Sequence, residues 1–184
     1  MSDTNTLFYR VDEDDVIVDI GGQWDDFARG NDGAQILKAS VLGTKLYQHI
    51  KGETCRTFVW TMLDAVRKLE KPVVRSYRCD SPTCKRFMTM SVFPEPDSRL
   101  LLQHRLDSIQ PFERPLKFAC APRTAHTKVT RCSMCNRLQI DGAWGEPELM
   151  LAKAAKKVTD ATLVIYSVCM DCKTAACIPK SFRA

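Results

Sequence analysis

The chain is short of histidine, with three in 184 residues, and contains no apolar run near the roughly 20 residues needed to cross a bilayer. A membrane-spanning role is therefore not expected. The opening segment MSDTNTLFYRVDEDD is acidic and has no apolar stretch of the secretory type, so the expected location is cytoplasmic. There is no Walker loop, no G-x-S-x-G elbow and no H-E-x-x-H pair. The acidic cluster Asp12–Asp15 lies between two short apolar runs and reads as a hairpin turn, with nothing to divide general acid from general base roles. His49 and His126 have no suitable partner nearby in sequence. With no catalytic constellation, the chain is expected not to be an enzyme.

Cysteine is what the chain has in excess. Nine is a high count and an odd one. In a reducing compartment they read as thiols or metal ligands rather than as a disulfide framework. Hydrophobic residues make up 45% and charged residues 27%, a balance that suits a folded globular chain. The net charge of +5 is unevenly placed: residues 1–120 carry 17 basic and 17 acidic side chains, and residues 121–184 carry 10 and 5. A basic tail can mark nucleic-acid binding, with Arg131, Lys153, Lys156 and Lys157 as the contacts. Four metal-bound thiolates with one divalent cation would lower the tail to +3, so a nucleic-acid partner is not expected.

Residues 7–112 read as one mixed unit. Leu7–Val11 and Val16–Ile20 are short β-prone runs, Gln23–Arg29 and Ala34–Ser40 are short helical segments, and a longer helix begins near Glu53. Thr57, Phe58, Met62, Val66 and Leu69 supply its apolar spacing, with Arg67, Lys68 and Glu70 outward, until Pro72 stops it. Strands are expected at Val73–Arg78, Lys85–Phe93 and Arg99–Leu106, with Pro94-Glu95-Pro96-Asp97 turning between the last two. The fold class is α+β: a five-stranded antiparallel sheet with helices on one face. Residues 113–126 contain two prolines and little periodicity and read as a linker, and residues 127–178 form a small module with little core of its own.

The element order of residues 7–112 resembles that of a PAS domain. At Val16–Ile20 followed by Trp24–Arg29, at the Val41-Leu42-Gly43-Thr44-Lys45-Leu46 turn, and at Tyr77-Arg78-Cys79-Asp80-Ser81-Pro82 with Arg86, the chain resembles PAS-like units of bacterial signalling proteins. The resemblance implies a sensor with a pocket filled by side chains or by a small ligand of unknown identity. It also implies a homodimer, for which Leu7-Phe8-Tyr9 is the candidate interface element. With no kinase or output segment in the sequence, the signal would pass to a partner protein by contact. Flavin-binding light sensors of this family place a reactive cysteine three residues after the glycine of the V-L-G turn; here Leu46 stands there. His104 shares a strand face with Leu100, Leu102 and Leu106 and reads as a hydrogen-bonded core histidine rather than a haem ligand.

Cys132-Ser133-Met134-Cys135 and Cys169-Met170-Asp171-Cys172 are two C-x-x-C pairs, each following a β-prone run. A C-x-x-C turn brings two sulfurs to one point, and two such turns make a tetrahedral Cys₄ cage. Cys132, Cys135, Cys169 and Cys172 are therefore the expected ligands of one Zn2+, a closed structural site with no open position for an activated water. Asp141-Gly142 favours a hairpin between the pairs, and a helix should start near Glu146-Pro147-Glu148. The cysteine pairs, Arg137-Leu138 and Gly142-Ala143-Trp144 resemble the zinc-ribbon-like tail that follows PAS or GAF domains in bacterial sensors; Asn136 stands where Lys is usual, and Met170-Asp171 where Pro is common. Thiol-based redox sensing through the same sulfurs is the alternative role. Cys79, Cys84 and Cys120 are a weaker candidate set for a second metal, and Cys55 and Cys177 read as unpaired thiols.

Overall fold

The computed structural model describes residues 6–30, 33–122, 129–153 and 161–176. His126, Lys156, Lys157 and Cys177 lie outside the described residues. Thr6–Val11 (β1) and Ile17–Gly21 (β2) form the hairpin implied by the acidic cluster. Asp12 shapes its turn: Oδ1 accepts the backbone N–H groups of Asp14 and Val16 at 3.0 and 2.9 Å, as short Asp side chains do in turns. Asp15 is buried in a left-handed conformation, and its carboxylate meets Arg67 at 2.7 Å. Arg67, expected to face outward, turns in because a buried carboxylate needs a charged partner.

Two short helices, Trp24–Arg29 (α1) and Lys38–Val41 (α2), lead to Glu53–Leu69 (α3). Cys55, Met62, Leu63 and Val66 are the buried stripe of α3. Leu69, expected within it, is exposed, because the helix ends there with Glu70 left-handed. Val73–Arg78 (β3), Cys84–Pro94 (β4) and Leu100–Pro111 (β5) complete an antiparallel sheet of order β2-β1-β5-β4-β3. The expected α+β class and five-stranded antiparallel sheet are found. Val92, Leu100 and Leu102 of the sheet pack with Met62, Leu63 and Val66 of α3 in one core. Leu7-Phe8-Tyr9, expected at an interface, lies in β1 with β2 and β5 bonded on its two sides, and Leu7 is buried. Both hydrogen-bonding edges of this strand are therefore occupied within its own sheet.

The second unit also differs from expectation. Within the stretch read as a linker, Phe118–Cys120 (β6) is a strand and Leu116 is 2% exposed. Thr130–Cys132 (β7), Leu138–Ile140 (β8), Ala143–Gly145 (β9), the helix Pro147–Lys153 (α4), Thr162–Ser167 (β10) and Met170–Ala176 (α5) follow. The sheet order is β6-β10-β7-β8-β9, with β10 parallel to both of its neighbours. Asp141 and Gly142, with φ of 49° and 83°, make the two-residue hairpin between β8 and β9. This unit has a core of its own, including Phe112, Leu116, Val129, Leu138, Leu151 and Val164. The expectation of little core fails because residues before Val129 supply part of it.

The two units are tied together where β3 ends. The backbone N–H of Arg78 donates to the Met134 carbonyl at 2.7 Å, and Asn136 Nδ2 donates to the Arg78 carbonyl at 3.0 Å. The Arg78 guanidinium contacts Asp80 at 2.6 Å and Glu146 at 2.8 Å, and Lys85 reaches Glu148 at 2.7 Å. The Asp80 side chain is 2% exposed and also lies 3.6 Å from Arg131. Gly52, at the start of α3, has a φ of 87°, and a Cβ there would stand 2.7 Å from the Tyr166 carbonyl oxygen. Only glycine meets both demands without displacement of β10.

Candidate functional site

Cys132 ends β7, and the chain folds back at once: the Asn136 N–H donates to the Cys132 carbonyl and the Cys132 N–H to the Arg137 carbonyl, both at 2.9 Å. Asn136 takes a left-handed conformation, with a φ of 58°, which Asn tolerates better than most residues. Its side chain is the one that holds Arg78. The second pair is built differently. Cys169 follows β10, and Cys172 falls within the first turn of α5, so this C-x-x-C opens a helix instead of forming a loop turn. Spacing of i to i+3 across a helix start still places both sulfurs on one side.

The four sulfurs of Cys132, Cys135, Cys169 and Cys172 all lie within 4.8 Å of one another. Cys135 Sγ and Cys169 Sγ are 3.8 Å apart. That is far beyond a disulfide bond of about 2.05 Å. It matches the edge of a tetrahedron, about 3.8 Å, whose centre is an ion about 2.3 Å from each thiolate. Cys132 and Cys169 are buried, and the cluster is walled by Cys55, Phe58, Val168 and Trp144. Cys55 touches the cluster without belonging to it; its Sγ is 2.9 Å from Ser133 Oγ, and burial pushes its thiol up.

The electrostatics of the four sulfurs are compatible with a cation among them. Hydrogen bonds from Cys132 and Cys172, followed by Arg137, hold Cys135 far below the usual thiol range. Cys132 is pushed up first by its bond to Cys135, and Cys172 by its bonds to Cys132 and Cys135. Four thiolates this close cannot all ionise together unless a positive ion lies among them. N–H donors already surround the sulfurs: Arg137 Nε lies 3.3 Å from Cys135 Sγ, Arg137 Nη2 lies 3.6 Å from Cys169 Sγ, and the Cys169 backbone N–H donates to Cys132 Sγ at 3.4 Å. Arg137 is itself fixed by Asp171 at 2.6 Å. These contacts are the outer support that a thiolate-bound ion needs. All four residues singled out from spacing are thus together, and their donor set fits a metal ion.

Other sequence candidates lie elsewhere. Among the described residues no second group of three or more such ligands exists. Cys84 Sγ is 3.1 Å from Ser81 Oγ, Cys120 is exposed on β6, and Cys79 faces a cavity in the first unit. Arg131, weighed as a nucleic-acid contact, is buried with its guanidinium 4.1 Å from the Phe118 ring centre and cannot reach a phosphate backbone from there.

The cavity between the first sheet and the small helices measures about 270 Å³. Tyr9, Trp24, Phe27, His49, Tyr77 and His104 are among its walls, and among the described residues no Asp, Glu, Lys or Arg lines it. Leu46 is part of the same wall. His104 Nδ1 is 2.8 Å from the Tyr77 hydroxyl, and Tyr9 stacks on the imidazole at 5.5 Å. Burial draws His104 down to about 4, so the ring is neutral at pH 7. Two features had no signal in the sequence: Tyr77 and His104 meeting across strands, and Arg78 reaching out between the two wall residues Tyr77 and Cys79.

No protein-family model, no curated protein and no solved structure matches this chain. Among the described residues no helix is long and apolar enough to cross a membrane.

Proposed function

We propose that this chain is a non-enzymatic, cytoplasmic signal-sensing protein of bacterial type. In this reading a PAS-like unit receives a small molecule in its cavity, and Zn2+ held by Cys132, Cys135, Cys169 and Cys172 gives shape to the surface that a partner protein reads. The PAS-like assignment is supported by the element order, with helices gathered between β2 and β3. Zinc is favoured over other ions because four thiolates suit a tetrahedral ion that needs no redox protection. The single observation that carries the sensing role is Arg78. Its neighbours Tyr77 and Cys79 line the cavity, while its own N–H and carbonyl grip Met134 and Asn136 of the first cysteine turn. A shift of the wall on occupancy would thus be delivered to the metal centre, and a ligand preferring one arrangement would shift populations of both.

The test fills the cavity by mutation. Ala28 lines the cavity and is buried, and Ala28→Leu adds bulk without adding charge. Protein purified without added metal should contain one zinc per chain and show no visible absorption. The substituted protein should transfer its zinc to a chromogenic chelator at a rate several-fold different from the original. Equal rates would remove the coupling on which the sensing role stands, and iron with a coloured spectrum would remove zinc. Pairing of two copies, implied by the PAS resemblance, is checked by sedimentation of the same samples.

One observation favours the thiol-redox alternative. The pair Cys169 and Cys172 opens a helix after a strand of a partly parallel sheet, the kind of frame in which redox-active C-x-x-C pairs are found. Mild peroxide should then release zinc and consume thiols reversibly, whereas a purely structural site would retain both.

A further inference from the structure

The cavity wall carries more chemical information than its apolarity. Tyr77 and His104 form a buried pair, and burial holds the Tyr77 phenol well above its ordinary range, so it keeps its proton. Two arrangements of hydrogens are open. If His104 Nδ1–H donates to Tyr77, then the Tyr77 O–H and the His104 Nε2 lone pair both go without partners. If the Tyr77 O–H donates to Nδ1, only the Nε2–H does. The second leaves one unmade hydrogen bond instead of two, at a saving comparable to one buried polar group. Nε2 has no hydrogen-bond partner in the described structure. His104, one of the wall residues, therefore keeps a buried neutral N–H donor without a partner, in a wall that also holds His49 and Cys79.

Size and charge narrow the occupant further. A volume of about 270 Å³ lies at the small end of the range for ligand pockets, about 300–1,000 Å³. Among the described residues the wall holds no Asp, Glu, Lys or Arg, and its other imidazole, His49, is bonded to Thr44 Oγ1, so a charged ligand finds no fixed counter-ion to offset its desolvation. Trp24, Phe27 and Tyr9 favour a flat ring. We infer that the cavity binds a small uncharged ring compound bearing a hydrogen-bond acceptor of the carbonyl kind, held by the His104 Nε2–H. The inference rests on the sensing function proposed above, and goes beyond it by naming the class of ligand.

Three probes with equal numbers of non-hydrogen atoms separate the requirements: acetophenone has a ring and a neutral acceptor, cumene has the ring alone, and benzoate has a charge. Each is titrated calorimetrically into the zinc-loaded full chain at neutral pH. Acetophenone should bind roughly three- to tenfold more tightly than cumene, the range of one net hydrogen bond, and benzoate more weakly than either. In His104→Phe, which retains a ring at that place, cumene should still bind and the preference for acetophenone should vanish. In the unsubstituted protein the ¹⁵N resonance of His104 Nε2 should move with acetophenone and not with cumene, a readout that does not depend on the variant folding. Cumene binding as tightly as acetophenone, benzoate binding best, or an unmoved Nε2 resonance would overturn the ligand class and leave the cavity as a binding site. Failure of all three probes to bind would overturn both.

Discussion

At the scale of single residues, buried polar groups decide most of what is particular to this protein. Asp15 and Asp80 have buried carboxylates, and each faces an arginine distant in sequence, Arg67 for Asp15 and Arg131 for Asp80. His104 is different, because its environment keeps it neutral. Its folded pKa of about 4 lies below the ordinary value of 6.5. Between those values the unfolded chain binds a proton that the folded protein does not. Stability should therefore fall as pH drops from about 6.5 toward about 4, with the histidine alone accounting for about 3 kcal/mol. Urea unfolding of the original and of His104→Phe at pH 7 and at pH 4.5 checks this. The variant should show the smaller loss on acidification, and equal losses would mean that His104 is not protected from protonation.

At the scale of elements, the cysteine turns do work that short strands cannot do alone. β7, β8 and β9 are three residues each, and α5 is seven. Such pieces lack the length to be stable by themselves, so the ion that joins Cys132–Cys135 to Cys169–Cys172 would fasten β7 to the start of α5. Metal binding at thiolate sites of this kind is worth on the order of 10 kcal/mol in peptides. Removing the metal with a strong chelator should abolish amide protection around Arg131–Leu138 and along α5, while β4, β5 and α3 retain theirs. Hydrogen exchange with mass analysis reads the outcome. Uniform loss of protection would show that the two units melt together; no loss would show that the sulfurs carry no metal of consequence.

At the scale of the whole molecule, the described residues form two sheets, each packed on a core, joined by more than a tether. Phe112 and Leu116 belong to the second core, and the Leu116 N–H donates to the Pro82 carbonyl of the first unit at 2.7 Å. Pro82 lies in the β3–β4 connection, beside the Arg78–Asp80 cluster that reaches Glu146 and Arg131. If residues 113–126 acted only as a linker, truncating Leu116 would be nearly silent. As a buried core side chain, Leu116→Ala should instead cost about 2–4 kcal/mol, measured as a shift in the denaturation midpoint. A change below about 0.5 kcal/mol, usual for exposed positions, would contradict that packing.

What the sequence determined by itself was whatever depends on neighbours along the chain. Val73–Arg78 is recognisable as a strand from its own residues, and the ends of α3 from Glu53 and Pro72. Asp12, Pro96 and Asp141-Gly142 mark their turns because turn geometry spans only a few residues. The four clustered cysteines were legible for the same reason: each C-x-x-C confines two sulfurs locally, and only the meeting of the pairs had to be supplied by folding. Tertiary structure alone decided that β1 lies inside its sheet, that Arg67 and Arg131 turn inward, that residues 116–120 serve the second core, and that Tyr77 meets His104. Each of those depends on a partner far along the chain. A buried charge or hydroxyl is drawn to whichever partner satisfies it, and periodicity, a local property, has no means of naming one.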